Sequence, residues 1–281
     1  MKKRSGNVKP QKSLGQNFLI DEEVIEAIID GAGVTRDSLI IEIGPGTGAL
    51  TCPLAEKAGK VVAIELDERM ISPLKVKTFS YGNVEIINED ILNVDLNELI
   101  EEELKTGSLR DVRVVGNLPY YITTPIIMKL LKLDLNVDSI TVMMQKEVGD
   151  RIAAEPGTKH AGAITYSVHY YAEVKKIIDV DRESFYPVPK VDSVVLRMDL
   201  LKDKPVKVDD EKFFFKCIKA GFSQRRKTLL NSLNSLEDFD KNKIKKALIS
   251  AGIETNRRAE SLNMEEFATL AKSLQEEQVA G

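Results

Sequence analysis

The sequence predicts an α/β layer protein: a mostly parallel sheet with an antiparallel last strand, followed by a small all-α C-terminal domain. Three observations predict it. Five short apolar runs alternate with amphipathic stretches of helical length through the first half of the chain. Two further β-rich runs, 174–180 and 191–198, are separated only by Tyr186-Pro187-Val188-Pro189 and flanking residues, with no helix-length stretch, which makes them antiparallel neighbours. From about Asp209 onward the strand-like runs cease, and the chain becomes helical and rich in lysine.

Residues 1–20 hold five bases (Lys2, Lys3, Arg4, Lys9, Lys12) and no acid, and read as a mobile basic arm. Asp21 reads as the N-cap of a first helix. Glu22 and Glu23 suit its first turn, and Val24, Ile25, Ile28 and Ile29 form its apolar stripe. Gly31 and Gly33 end it. Leu39-Ile40-Ile41-Glu42-Ile43 is a strand buried on both faces, and the glycines of 44–48 follow as a tight loop. Strands at 61–65, 84–88, 112–116 and 140–144 continue the alternation. Lys202-Asp203-Lys204-Pro205 reads as a linker, which divides the chain into domains at 1–204 and 205–281.

Composition narrows the function. With 40 Lys+Arg against 44 Asp+Glu the chain is not a uniformly basic nucleic-acid binder, so any phosphate contact must come from a local patch. The two cysteines, Cys52 and Cys217, have no metal-ligand spacing and fit a reducing cytosol. No apolar run has the length of a signal peptide core or a bilayer span, so a cytoplasmic protein without a membrane partner is expected. His160 and His169 lack cysteine or acidic partners in ligand spacing, and no metal is expected.

Glu42-Ile43-Gly44-Pro45-Gly46-Thr47-Gly48 closes the first strand of the sheet. Glycines serve where backbone must turn sharply and approach a ligand, and this end of a doubly wound sheet is the cofactor crevice. Glu65 ends the next strand, where a carboxylate can accept from both ribose hydroxyls. Gly44, Gly46 and Ala49 also satisfy a dinucleotide fingerprint. Glu42 tilts the choice toward S-adenosylmethionine, because a carboxylate there suits a cationic methionine part and repels a pyrophosphate. Asp90, after the third strand, can accept from an adenine amino group; a helix N-cap is the plainer alternative.

Asn117-Leu118-Pro119-Tyr120 closes the fourth strand at the same edge. The exocyclic nitrogen of adenine is a poor nucleophile because its lone pair is delocalised. The side-chain oxygen of Asn117 and the carbonyl of Leu118 can accept its two N–H bonds and aim the lone pair at a methyl group. Pro119 fixes the turn, and Tyr120 can stack on the base. No general base is required, since the nitrogen becomes acidic only after methylation. Positioning is the main contribution.

With these pieces the chain resembles the ribosomal RNA adenine N6-dimethyltransferases, and more narrowly their bacterial small-subunit branch. The resemblance spans about residues 12–235. Besides the motifs above, Lys12-Ser13-Leu14-Gly15-Gln16-Asn17-Phe18-Leu19, Gln145-Lys146-Glu147-Val148, Phe185-Tyr186-Pro187-Val188-Pro189-Lys190-Val191-Asp192-Ser193 and Phe222-Ser223-Gln224-Arg225-Arg226-Lys227 carry it. It implies a Rossmann-like methyltransferase sheet with S-adenosylmethionine as cofactor. Contacts are implied at Asn17, Leu19, Gly44, Glu65, Asp90 and Asn117. It implies that Phe185 stacks on the target base opposite Tyr120, whereas the residues alone place Phe185 in the core. The implied product is N6,N6-dimethyladenosine at two adjacent positions near the 3′ end of 16S rRNA. The implied partner is the immature small subunit (30S), with a monomeric enzyme expected.

Residues 212–231 hold six bases and no acid, interleaved with Phe213, Phe214, Phe215, Phe222, Leu229 and Leu230. Arg225, Arg226 and Lys227 are candidate phosphate contacts, against the alternative of a solvated face. Lys241, Lys243, Lys245, Lys246, Arg257 and Arg258 extend the patch. Two other functions compete: a non-catalytic ribosome assembly factor, and a large-subunit dimethylase of the macrolide-resistance type.

Overall fold

The computed structural model describes residues 9–11, 15–105, 107–133, 137–224 and 226–279. The chain forms two compact units, Met1–Gly149 with Glu173–Leu200, and Asp150–Ala172 with Leu201–Gly281.

The first unit is built on a seven-stranded sheet. Its strands are β2 (Ser38–Ile43), β3 (Lys60–Glu65), β4 (Val84–Asn88), β5 (Asp111–Asn117), β6 (Ser139–Gln145), β7 (Ala172–Val180) and β9 (Ser193–Leu200). The order is β4-β3-β2-β5-β6-β9-β7. The first five strands in sequence are parallel, and β9 runs antiparallel to β6. The β2 strand is buried along its whole length, as its largely apolar run predicts, and this takes Glu42 into the interior with it. Its register with β5 sets Ile43 beside Gly116, so the two motif-bearing strand ends are neighbours. The order reverses direction around β2, which opens a crevice at the carboxyl ends of β2 and β5.

The helices of this unit are α1 (Glu22–Ala32), α2 (Thr51–Lys57), α3 (Glu68–Thr78), α4 (Leu96–Leu104), α5 (Thr123–Leu130) and the start of α6 (Lys146–Ile152). Asp21 caps α1 as its sequence suggests, accepting from the N–H groups of Glu23 and Val24. Gly33 ends α1 at φ 65°, but Gly31 lies inside the helix. The glycine at 31 is a packing requirement, because a Cβ there would stand 2.9 Å from the Ile177 side chain of β7.

The basic arm also needs correction. Phe18–Leu19 form β1, paired antiparallel with β8 (Phe185–Tyr186). The Ile20 N–H donates to the Ser184 carbonyl at 2.9 Å. Leu19 joins Val24, Ile28, Phe185 and Val195 in the core. Lys2, Lys3, Arg4 and Lys12 lie outside the described residues.

The second unit holds α7 (Ala163–Tyr171), α8 (Glu211–Gly221), α9 (Leu229–Ser232), α10 (Lys241–Ser250) and α11 (Met264–Val279). Its inclusion of 150–172 departs from the single boundary expected at 204. Aromatic packing is the reason. Tyr166 on α7 lies 5.4 Å from the Phe222 ring and 5.0 Å edge-on from Phe267, and it accepts from the Gly157 N–H at 3.0 Å. Tyr170 and Tyr171 are core residues, as expected, against Phe214 and Phe215. Among the described residues no helix is long and apolar enough to cross a membrane.

β2 and β5 lie close beside each other near the crevice: a Cβ on Gly116 would lie 2.6 Å from the Ile43 carbonyl oxygen. Neither backbone can give way without breaking the ladder. Gly116→Ala is expected to destabilise the protein by about 3 kcal/mol. A urea midpoint equal to that of the wild type would refute this packing.

Candidate active site

The carboxyl ends of β2, β3 and β5 open into one cavity. Gly15 to Leu19 form one wall, the glycine loop another, and Glu65, Asp90 and Asn117 to Tyr121 complete it. Eleven residues selected from sequence meet there: Asn17, Leu19, Glu42, Gly44, Gly46, Glu65, Asp90, Asn117, Leu118, Pro119 and Tyr120.

The glycine loop has a physical reason at each glycine that matters here. Gly44 and Gly46 take φ of 68° and 52°, which only glycine adopts without strain. A Cβ on Gly46 would also meet the Phe18 ring at 3.3 Å. The loop is held from both sides. The Gly46 N–H donates to Glu65 Oε2 at 3.0 Å, and Lys77 Nζ donates to the carbonyls of Thr47 (2.9 Å) and Gly48 (3.0 Å).

Glu65 is buried at the end of β3 and accepts a second backbone N–H, from Asp67, at Oε1 (2.8 Å). Burial raises its pKa, and the two N–H bonds oppose that rise. Asp67 in turn accepts from Gln16 Nε2 at 2.7 Å and pairs with Arg69, whose guanidinium holds its carboxyl down to about 2. Gln16 was missed as a site residue. It lay within a quoted motif, but only the fold shows that its amide reaches residue 67.

Glu42 is 1% exposed. Its Oε2 and the Thr51 hydroxyl are buried without a hydrogen-bond partner among the described residues. Burial pushes the Glu42 carboxyl up to about 8, against the Thr51 hydroxyl and Lys77, which favour its ionised form, and with the help of the nearby Glu65. Asp90 is not a helix N-cap, since Asp95 caps α4. Asp90 opens a turn instead, its Oδ1 accepting from the Leu92 N–H at 2.9 Å.

Asn117 Nδ2 donates to the Asn17 carbonyl at 3.1 Å. The nitrogen is thus engaged by the first wall, which leaves Oδ1 as the free end of the amide. The turn is braced by Leu118 N–H to Met143 O (3.0 Å) and Thr123 Oγ1 to Pro119 O (3.0 Å). The half-buried Tyr120 shares a 2.8 Å hydrogen bond between its hydroxyl and Ser193 Oγ.

Phe185 is a correction. It is 1% exposed, sits in the core and does not line the cavity. Side chains alternate along β8, so pairing with β1 turns Phe185 inward and leaves Tyr186 59% exposed. The resemblance had implied a base platform; the residue-level reading of core packing describes the structure.

In the second unit, α8 buries Phe214, Cys217 and Ile218 and exposes Lys212, Lys216 and Lys219. Lys216 pairs with Asp238 at 3.5 Å. Arg226 and Lys227 are exposed, and Arg225 lies outside the described residues. On α10, Lys241, Lys245 and Lys246 are exposed, with Ile244, Ala247 and Leu248 buried. Arg257 leaves the basic patch, because Glu266 holds it in a two-pronged ion pair. His160 is exposed, and the His169 ring hydrogen-bonds the Ile152 carbonyl at 3.1 Å.

Comparison with solved structures fits this arrangement. A dimethyladenosine transferase from Plasmodium falciparum superposes with a TM-score of 0.76 at 26% identity, over 92% of this chain and 98% of the other. The 23S rRNA methyltransferase ErmE gives 0.69 at 25% identity, over 92% and 100%. The sheet and its crevice are therefore those of the rRNA methyltransferase class. The family model for ribosomal RNA adenine dimethylase matches residues 7–276. Relatives from Bacillus cereus (strain B4264) and Bacillus anthracis (strain A0248), each named Ribosomal RNA small subunit methyltransferase A, are 51% identical over 268 residues, covering 94% of this chain and 91% of theirs. The chain belongs to the ribosomal RNA adenine dimethylase family.

Glu42 gives a pH signature. Its folded pKa, about 8, stands above the ordinary 4.5, so the folded state binds a proton that the unfolded state has released. The stability from this group is complete below 4.5 and is lost as pH rises through about 8. Thermal melts should show the wild type losing stability relative to Glu42→Gln across that window and levelling off above it. Parallel pH profiles for the two proteins would refute the assignment.

Proposed function

We propose that this protein transfers methyl groups from S-adenosylmethionine to N6 of two adjacent adenosines near the 3′ end of 16S rRNA, giving N6,N6-dimethyladenosine. The observation that carries this reading is the orientation of the Asn117 amide. Its nitrogen is taken by the Asn17 carbonyl, so an acceptor oxygen remains in the cavity, next to Leu118. Two acceptors in one turn suit a primary aromatic amine. The small-subunit substrate rests on the relatives' names at 51% identity, against 25% for the large-subunit enzyme ErmE.

The residues fit the donor. A buried carboxyl at Glu42 with an unpartnered oxygen suits a cationic ligand, whose charge would supply the counter-ion it lacks. Each Glu65 oxygen uses one lone pair on backbone and keeps another for a ribose hydroxyl. Asp90, Leu19 and Asn17 line the remaining wall, with Gly44 and Gly46 allowing close backbone approach. S-adenosylmethionine, when bound, supplies an electrophilic methyl group.

Asn117 Oδ1 and the Leu118 carbonyl accept the two N–H bonds of the amine and hold its lone pair in line. Tyr120, fixed through Ser193, offers a ring face to the base. An adenine in a duplex cannot reach this cavity, so the target is unpaired or flipped. Phosphate contacts fall to Arg226, Lys227 and the exposed lysines of α8 and α10, with Arg225 in the same basic segment. The partner in this reading is the immature 30S subunit, met in the cytoplasm by a monomer.

Labelled methyl groups offered with S-adenosylmethionine to unmodified small subunits should appear as dimethyladenosine in 16S rRNA. Label in large-subunit RNA alone would overturn the substrate. Asn117→Ala should cut transfer by about 100-fold or more while rRNA affinity stays near that of the wild type. Equal loss of both would remove Asn117 from the chemistry. Replacing Lys241, Lys245 and Lys246 together by alanine should make the plot of log affinity against log salt shallower by about 2 to 3. An unchanged slope would take α10 out of the RNA interface.

A further inference from the structure

Glu42 poses a problem that the reaction itself does not solve. It lines the cavity, yet it is buried, and one carboxyl oxygen has no hydrogen-bond partner among the described residues. The Thr51 hydroxyl of α2 is likewise buried; it makes no well-formed hydrogen bond, and although it faces Glu42 and favours the ionised form, it does not offset the burial. The residues flanking Glu42 across the sheet, Ala63 on β3 and Val115 on β5, are apolar. The titratable groups that face it are Glu65 at the end of β3, Cys52 on α2 and Lys77 on α3. Glu65 carries the same charge. Lys77 is engaged by two loop carbonyls. An ionised carboxyl in that setting has no counter-ion of its own and is unfavourable. The acid form meets no such penalty, and burial accordingly pushes the group up to about 8.

Any cation entering the cavity reverses this balance, because an opposite charge within a few ångströms favours the ionised form. We propose that Glu42 exchanges its proton for the positive charge of the methyl donor: neutral in the free protein, ionised in the complex, with the proton delivered to solvent. This rests on the S-adenosylmethionine reading above. It gives Glu42 a role in selecting ligands by charge, beyond contact. A pyrophosphate or other anionic ligand would find an acid that cannot ionise. A cationic ligand generates its own counter-ion.

Proton release can be read without turnover. Titration calorimetry of S-adenosylmethionine into the wild type at pH 7, in phosphate and in Tris, should give enthalpies that differ by the buffers' ionisation heats, corresponding to about one proton released per ligand. The release should fade above about pH 9, where the free protein is already ionised. Glu42→Gln should bind more weakly and release none. If that variant does not fold, the wild-type pH series still decides the matter.

S-adenosylhomocysteine keeps the ammonium and lacks the sulfonium. Equal release with it assigns the exchange to the ammonium, and release with S-adenosylmethionine alone assigns it to the sulfonium. Binding of S-adenosylmethionine without release, or unchanged release from Glu42→Gln, overturns the exchange and leaves the donor reading standing. No binding in any buffer overturns the donor reading and the exchange together.

Discussion

Two backbone N–H groups converge on the carboxylate of Glu65, one from Gly46 and one from Asp67. The cavity depends on that convergence. Gly46 belongs to the loop after β2, and Asp67 to the turn after β3, so one side chain fixes the distance between two strand ends. Asp67 then receives the Gln16 amide, which places a third segment. On the other side of the loop, Lys77 satisfies the carbonyls of Thr47 and Gly48. The loop's donors and acceptors are thus met by opposite charges from two different elements, and little freedom is left to a backbone of positive-φ glycines. Charge-assisted bonds of this kind are about twice as strong as neutral ones.

Burial raises the pKa of both carboxyls of the cavity, but their hydrogen bonds differ. Glu65 has two backbone donors and remains usable as an acceptor. Glu42 has no backbone donor, and burial pushes it up to about 8. Here the donors come free with the loop geometry: the Gly46 N–H that reaches Glu65 is available because that residue adopts a left-handed turn.

Much of this was legible in the sequence. The parallel strands announce themselves because a strand buried on both faces needs a mostly apolar run, and 39–43 and 140–144 are such runs, each with a single polar residue, Glu42 and Thr141. Asp21 as a cap and the placement of Asn117 beside the glycine loop follow from equally local rules. What failed was long-range. Phe18 and Leu19 end a basic arm and read as a hydrophobic lid on the first helix, where Leu19 does pack, but the partner 165 or more positions away that makes them half of a two-stranded sheet is not legible locally. Phe185 looks like a platform in a motif and becomes core because that same pairing fixes which side chain of the dipeptide turns inward. Gly31 reads as a helix stop, and only the approach of Ile177 gives its absent Cβ a different meaning. The helical unit was mis-bounded for a related reason: Tyr166 finds Phe222 and Phe267, and no linker composition reports that.

The pairing of β1 with β8 also has a consequence in time. Residues 18 and 19 wall the cavity, but their hydrogen-bonded partners are residues 185 and 186. A chain emerging from the ribosome must therefore complete about two thirds of its length before the first wall of its own pocket can close. Contacts of such sequence separation form late and slowly. Until then the segment that carries the Asn17 carbonyl, partner of the Asn117 amide, lacks its hydrogen-bonded strand. The first wall of the cavity and the strand that holds it are therefore joined only once the chain extends through residue 186.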